Sequence, residues 1–276
     1  MSNPVFSSSP VFGEPKRGRT TTIQPSPYGM PQAGSAAMSG IATGSLEQMY
    51  GAPAATTRET GRLTYDDVIV KTAGLFAILV TTGALTWALA PQLFFVGMIV
   101  GLVLGLVNSF KRNPSPFLIM AYAAAEGVFL GGISAFYDAQ WPGIVVQAVL
   151  ATVATFAACL VLFRSGKVRV TPKLTRWMMV AMGGYLLFSL LNLGLTWFGV
   201  LDGWGMRSGP LGIVIGLVAV GLAAFMLIMD FDSIKRGVEQ GAPAKFAWSA
   251  AFGLVVTLVW MYLEFLRLLA ILRGDS

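Results

Sequence analysis

Five ionisable side chains stand where an apolar sequence has little use for them. Glu126 lies nine residues into a run at 117–137, inside "AEGVFLGGIS". Asp230 and Asp232 close another run in "AAFMLIMDFDSIKRG", residues 223 to 237. Glu264 and Arg267 sit three residues apart in "MYLEFLRLLAIL". Such groups are costly in a low dielectric, so each needs a chemical reason to be there. Two carboxylates brought close in that setting cannot both ionise cheaply, and one keeps its proton. Losing that proton adds repulsion that can open the pair, or creates an oxygen site for a hard cation such as Ca²⁺. Blander readings stand beside this one. Glu264 and Arg267 share a helical face and can form an internal ion pair that closes a structural polar network. Glu126 can be a hydrogen-bonded, protonated acid that joins helices, and Asp232 a water-facing residue at a helix end. Asp230 fits that last reading less well, because it directly follows the apolar run.

Other chemistries are excluded by absence. The chain has no histidine, which removes a Ser-His dyad, His-ligated zinc or haem, and imidazole proton relays. Its one cysteine, Cys159, lies in an apolar run and reads as a small buried hydrophobe. Every lysine is in the N-terminal region or near the end of an apolar segment, so a mid-membrane Schiff base is not expected. Only an aspartyl pair is left for hydrolysis, and its usual sequence context is missing. The expectation is a protein that is not an enzyme and has no bound cofactor. Nucleic acid is not expected as a partner either, since no basic patch carries aromatics arranged for base stacking.

The elements that must position these groups follow from composition. The 276 residues are 55% hydrophobic and 12% charged, against about 25% charged in a soluble domain. Seven apolar segments, near 72–90, 93–110, 117–137, 144–163, 177–198, 211–229 and 246–272, each approach the ~20 residues that cross ~30 Å of hydrocarbon. None alternates as a barrel strand would. The fold class is an all-α polytopic membrane protein of seven transmembrane helices. If 246–253 lies at the interface, the last span is 254–272, and both Glu126 and Glu264 fall near mid-membrane.

Sixteen of the 19 Lys and Arg fall on one side of these spans and two on the other, with Arg267 inside the last. The positive-inside rule then places the N-terminus in the cytoplasm and the C-terminus outside a cytoplasmic (cell) membrane. Gly97, Gly101 and Gly105, Gly127 and Gly131, and Gly212 and Gly216 have the spacing of helix-packing glycines. Before the spans, residues 1–63 hold seven of the 14 prolines with many Ser, Thr, Gly and Gln, a composition expected to stay disordered. The repeated "PVF" at 4–6 and 10–12 has the form of a docking motif for a membrane protein partner, or is scattered apolar residues in a loose tail. Order should begin at "LTYDDVIVK", with Thr64 as N-cap and Asp66 and Asp67 in the first turn, so the transmembrane domain is taken as 64–276.

"MDFDSIKRG", "MYLEFLRLLAIL" and "AEGVFLGGIS", with seven segments in this order, resemble the Bax inhibitor-1 (transmembrane Bax inhibitor motif) family in its bacterial YccA-like branch, over residues 64 to 273. The resemblance implies a bundle whose last helix is surrounded by the other six. It also implies a pH-sensitive calcium leak governed by a carboxylate on the sixth helix and another on the seventh. Asp followed four residues later by Ile fits Asp230 and Ile234. An acid before an aromatic fits Glu264 and Phe265, although this acid is Glu where the family has Asp, and another alignment places it at Trp260. Asp230 and Glu264 are thus the expected gating pair and the expected oxygen ligands of a permeant Ca²⁺. Glu126, Arg267 and Asp232 are accessory polar groups. The alternative function is a non-conducting interaction protein that modulates other membrane proteins, such as a quality-control protease, through its tail.

Overall fold

A computed structural model describes residues 61–111, 113–166, 170–201 and 205–274, all within the unit formed by residues 55–276. Of the segment expected to be disordered, residues 1–60, with both "PVF" copies, lie outside the described residues. Seven α-helices follow: α1 (Tyr65–Leu89), α2 (Phe94–Phe110), α3 (Pro116–Gln140), α4 (Ile144–Arg164), α5 (Pro172–Trp197), α6 (Gly209–Glu239) and α7 (Ala247–Gly274). All seven are long and apolar enough to cross a membrane, with α2 and α7 counted together with the single 3₁₀ turns that precede them. The chain is therefore a multi-pass membrane protein.

Local chemistry sets the helix ends. Thr64 caps α1, its hydroxyl accepting from the Asp67 amide at 3.1 Å while the Asp67 carboxylate accepts from the Thr64 amide at 3.3 Å. This reciprocal box satisfies two donors that the first turn would otherwise leave open. Thr64→Ala should cost about 1 kcal/mol, read as a small fall in melting temperature. Thr171 caps α5 in the simpler way, accepting from the Leu174 amide. Proline at the first or second position opens α3, α5 and α6, where its missing N–H removes no helical bond.

The chain begins its described course on a seam with the α6–α7 connection. The Leu63 amide donates to the Ala242 carbonyl at 2.7 Å, and the Ala244 amide to the Gly61 carbonyl at 2.8 Å. Leu63 is buried beneath it against Gly237. This end of the bundle also carries Lys71, Lys111, Arg164, Lys235, Arg236 and Lys245, and is called the basic end below.

Helix α7 lies at the centre. Over an apolar stretch of 18 residues in each helix, 72% are buried in α7, against 11% in α2 and in α5, so α7 is the central helix. It packs directly on α1, α3, α4 and α6. The implied ring of six is looser than that. Helix α2 lies behind α3, and α5 leans on α6 and reaches α7 through side chains. The expected glycines make the closest seams. Gly131 of α3 meets the Gly83 backbone of α1, Gly97 of α2 meets the backbone of Ala125 and Phe129, and Gly216 of α6 meets Leu268 of α7.

One expectation about helix limits is corrected. α6 does not stop at 229; it continues without a break to Glu239, 31 residues and about 46 Å long. Nothing between Met229 and Glu239 breaks a helix strongly, Gly237 being tolerated there, and the stop comes from Gly241 at φ +63° and Pro243. The last helix runs from residue 247 into the span with no break before residue 254. Ala247, Ala251 and Phe252 are buried within continuous α7.

Candidate functional site

The five ionisable groups fall into three separate stations. Asp230 occupies the first, where α6 faces the first half of α7. Its carboxylate accepts a hydrogen bond from the Thr257 hydroxyl at 2.8 Å, and that hydroxyl also lies 3.1 Å from the Gly253 carbonyl. Gly253 leaves room beside the acid: a Cβ there would stand 3.8 Å from Asp230 Oδ1. Asp230 lines a cavity of about 290 Å³ at the basic end, with Leu63, Ser233, Ala242, Ser249 and Gly253. No cation pairs with it among the described residues. Asp232, two residues on, faces away and pairs with Arg236 at 2.8 Å, one turn along a helix rather than at a helix end.

Glu264 anchors the second station and is the opposite case. It is buried, and it pairs with the equally buried Arg267. It also accepts from the Tyr185 hydroxyl and from Trp260 Nε1, the latter at 3.2 Å. Tyr185 in turn accepts from Arg207 at 2.9 Å, and the same guanidinium donates to Ser189 and lies over the Tyr185 and Phe188 rings. Arg207 is carried by the 3₁₀ turn Gly205–Arg207, which Asn192 holds by accepting from the Met206 amide at 2.8 Å. One carboxylate therefore ties α7, α5 and the α5–α6 connection together. The ion pair weighed from sequence is present, inside a larger network.

Glu126 forms the third station on α3. Tyr122, one turn earlier, shares its helical face, and Glu126 Oε1 packs on Gly101 of α2, where an added Cβ would come within 2.9 Å. A residue larger than glycine at 101 would displace the acid.

The structure does not bring Asp230 and Glu264 together. Helices α6 and α7 form an antiparallel hairpin whose register is legible in its contacts: Asp230 meets Thr257, Gly216 meets Leu268, and Gly212 meets Ile271. Glu264 thus faces α6 between Gly216 and Asp230. It lies two turns from Thr257, about 10 Å along the axis. The reason is the seven-residue connection from Gln240 to Phe246, which fixes how far the two helices slide past each other. Opposite Asp230 the last helix offers a hydroxyl, not a second acid. The described residues contain no group of three or more His, Cys, Asp or Glu side chains close enough to hold a metal ion.

Sequence reasoning missed Thr257, Tyr185, Ser189 and Arg207. One signal was available for α5. Tyr185, Ser189 and Asn192 recur at four and three residues, a polar stripe on one face of an apolar span. Thr257 carries no such signal, being a single hydroxyl in an apolar run.

A model of the family described as "Bax inhibitor 1 like" matches residues 3–274, nearly the whole chain. The chain belongs to the Bax inhibitor 1 like family. A search of curated proteins gave no match. In this member of the Bax inhibitor 1 like family, the sixth-helix acid inferred from the resemblance lies against a threonine, and the last-helix acid already has an arginine. The two carboxylates are therefore unequal. Asp230 is open to a cavity with one neutral donor, whereas Glu264 has a counter-charge and two further donors.

Proposed function

We propose that this protein is a pH-sensitive calcium leak of the cell membrane, a transport protein and not an enzyme, with its basic end in the cytoplasm and its C-terminus outside. The observation that carries the reading is Asp230. It is an acid without a cationic partner among the described residues, on the wall of a cavity at the basic end and against the central helix. When protonated, it is a neutral group that Thr257 and the cavity can hold. Without its proton it offers two oxygens to a hard cation and must be neutralised by one or move. Leak should therefore rise with pH as Asp230 loses its proton. Glu264 supports the reading differently, as the fixed charge that keeps α5 and the α5–α6 connection on α7.

The orientation rests on the 16-to-2 division of Lys and Arg, which labelling of single cysteines placed at Ser208 and Lys245 from either side would check. Flux from calcium-loaded liposomes tests the function. Wild type should leak faster at higher pH, Asp230→Asn should flatten that dependence, and Asp232→Asn should match wild type because its partner Arg236 lies on its own helix. A wild type that passes no more calcium than empty liposomes at any pH would leave the non-conducting interaction protein as the better account.

A further inference from the structure

A second cavity, of about 960 Å³, opens between α1 and α4 with α7 as its floor. Helices α1 and α4 share no packing seam, so the gap faces the hydrocarbon sideways. It runs along α1 from Tyr65 to Trp87, 22 residues apart, about 33 Å and thus most of the membrane's thickness. Its walls are apolar, and several wall residues are well exposed: Ile69 63%, Val80 61% and Val153 58%. The volume is at the upper end for a small-molecule site.

The few polar groups show what fits there. Ser134 and Tyr262 hydrogen-bond each other at 2.7 Å, and Thr152 bonds back to the Ala148 carbonyl at 2.7 Å, so mid-groove polarity is satisfied inside the protein. Thr72 differs. The residue is part of the groove wall, and its hydroxyl, closed off beneath the wall surface, has no hydrogen-bond partner, whereas Thr82 and Thr86 on the same helix both bond back one turn. Thr72 is about 10 Å along α1 from Tyr65, on the basic half of the groove. Beyond it, at the basic end, Arg164 follows the lining residue Leu160 by four positions and so lies on the same face of α4. Arg164 is exposed and forms no ion pair or hydrogen bond among the described residues.

An apolar trough, then a hydroxyl in need of an acceptor, then a free cation is the order of acyl chain, ester and phosphate in a phospholipid. We propose that the α1–α4 groove is a specific site for one anionic phospholipid, with an acyl chain along α7, its phosphate on Arg164, and its ester accepting from Thr72 once that hydroxyl turns into the groove. The site would make the protein sensitive to leaflet composition, since one basic residue near an anionic surface is worth about a five-fold preference.

The test is native mass spectrometry of protein purified from nanodiscs of equal palmitoyl-oleoyl phosphatidylglycerol and phosphatidylcholine. Wild type should retain one lipid per chain, with phosphatidylglycerol about five-fold in excess. Arg164→Gln should keep the lipid and lose the excess. Val153→Trp, which places a bulky ring in the trough at an exposed position, should lose the lipid while eluting from gel filtration as wild type does. Equal retention by wild type and Val153→Trp would overturn the site, and so would dimers appearing where lipid adducts are expected. An excess of phosphatidylglycerol unchanged in Arg164→Gln would overturn the headgroup contact.

Discussion

Glu264→Gln should destabilise the protein by about 3–5 kcal/mol, the largest loss expected from any change of a polar side chain in it. The glutamine keeps the volume and can still accept from Tyr185 and Trp260, so the whole cost lies with Arg267. Arg267 is 5% exposed, and its Nε and one Nη already lack partners, so removing the carboxylate leaves a bare buried cation. The double variant Glu264→Gln/Arg267→Met should recover most of the loss, because replacing both members of a buried pair by neutral groups is often tolerated. Thermal melting in detergent, followed by Trp fluorescence, reads the cycle. A Glu264→Gln variant as stable as wild type would mean that Glu264 is a neutral acid and that the pair contributes nothing. Arg207→Gln should be milder. It loosens the α5–α6 connection but leaves Glu264 its principal partner.

The second large effect concerns shape. Gly131→Leu should cost at least ~3 kcal/mol and reduce folded yield, because its Cβ would overlap the Gly83 carbonyl and stand 2.9 Å from the Gly83 Cα. Backbone meets backbone there, with no flexible side chain to move aside. Gly74→Ala on α1 is the control. Its Cβ would meet nothing within 4 Å, so the change should be neutral or should stabilise by about 0.5–1 kcal/mol through helix propensity. Comparable melting shifts for the two would mean that α1 and α3 are not in close contact.

What could be read from the sequence follows from how local each signal is. The seven spans and the α1 cap depend on neighbours within a turn or on run length, and they stand where composition puts them. The glycine seams were legible as spacing, though not which helix each would meet. Glu264 and Arg267 are three residues apart, so their pairing is a property of one helix and visible beforehand. Asp230 is a different case. Its partner lies 27 positions away across a hairpin, and a sliding of two turns decides whether it meets Thr257 or Glu264. Nothing in either helix alone encodes that sliding; the length of the connection does. The end of α6 departs from the end of its apolar run for a related reason: hydrophobicity falls at Asp230, yet this helix ends on Gly241 and Pro243, not on charge.

The central helix is also the last of the seven to be made. A ribosome delivers spans in chain order, so α1 to α6 must enter the bilayer and wait around an unfilled seat. The span that fills it carries an acid and a base, each costing ~2.5–3.5 kcal/mol to insert alone. Because Glu264 and Arg267 lie three residues apart on one helix, their charges can cancel before any tertiary contact exists. The late span can thus pass from the insertion machinery into lipid as a neutral unit. Placing the two residues two or five positions apart, on different faces of the helix, would keep the composition of α7 unchanged and remove that advantage, a defect of biogenesis instead of packing.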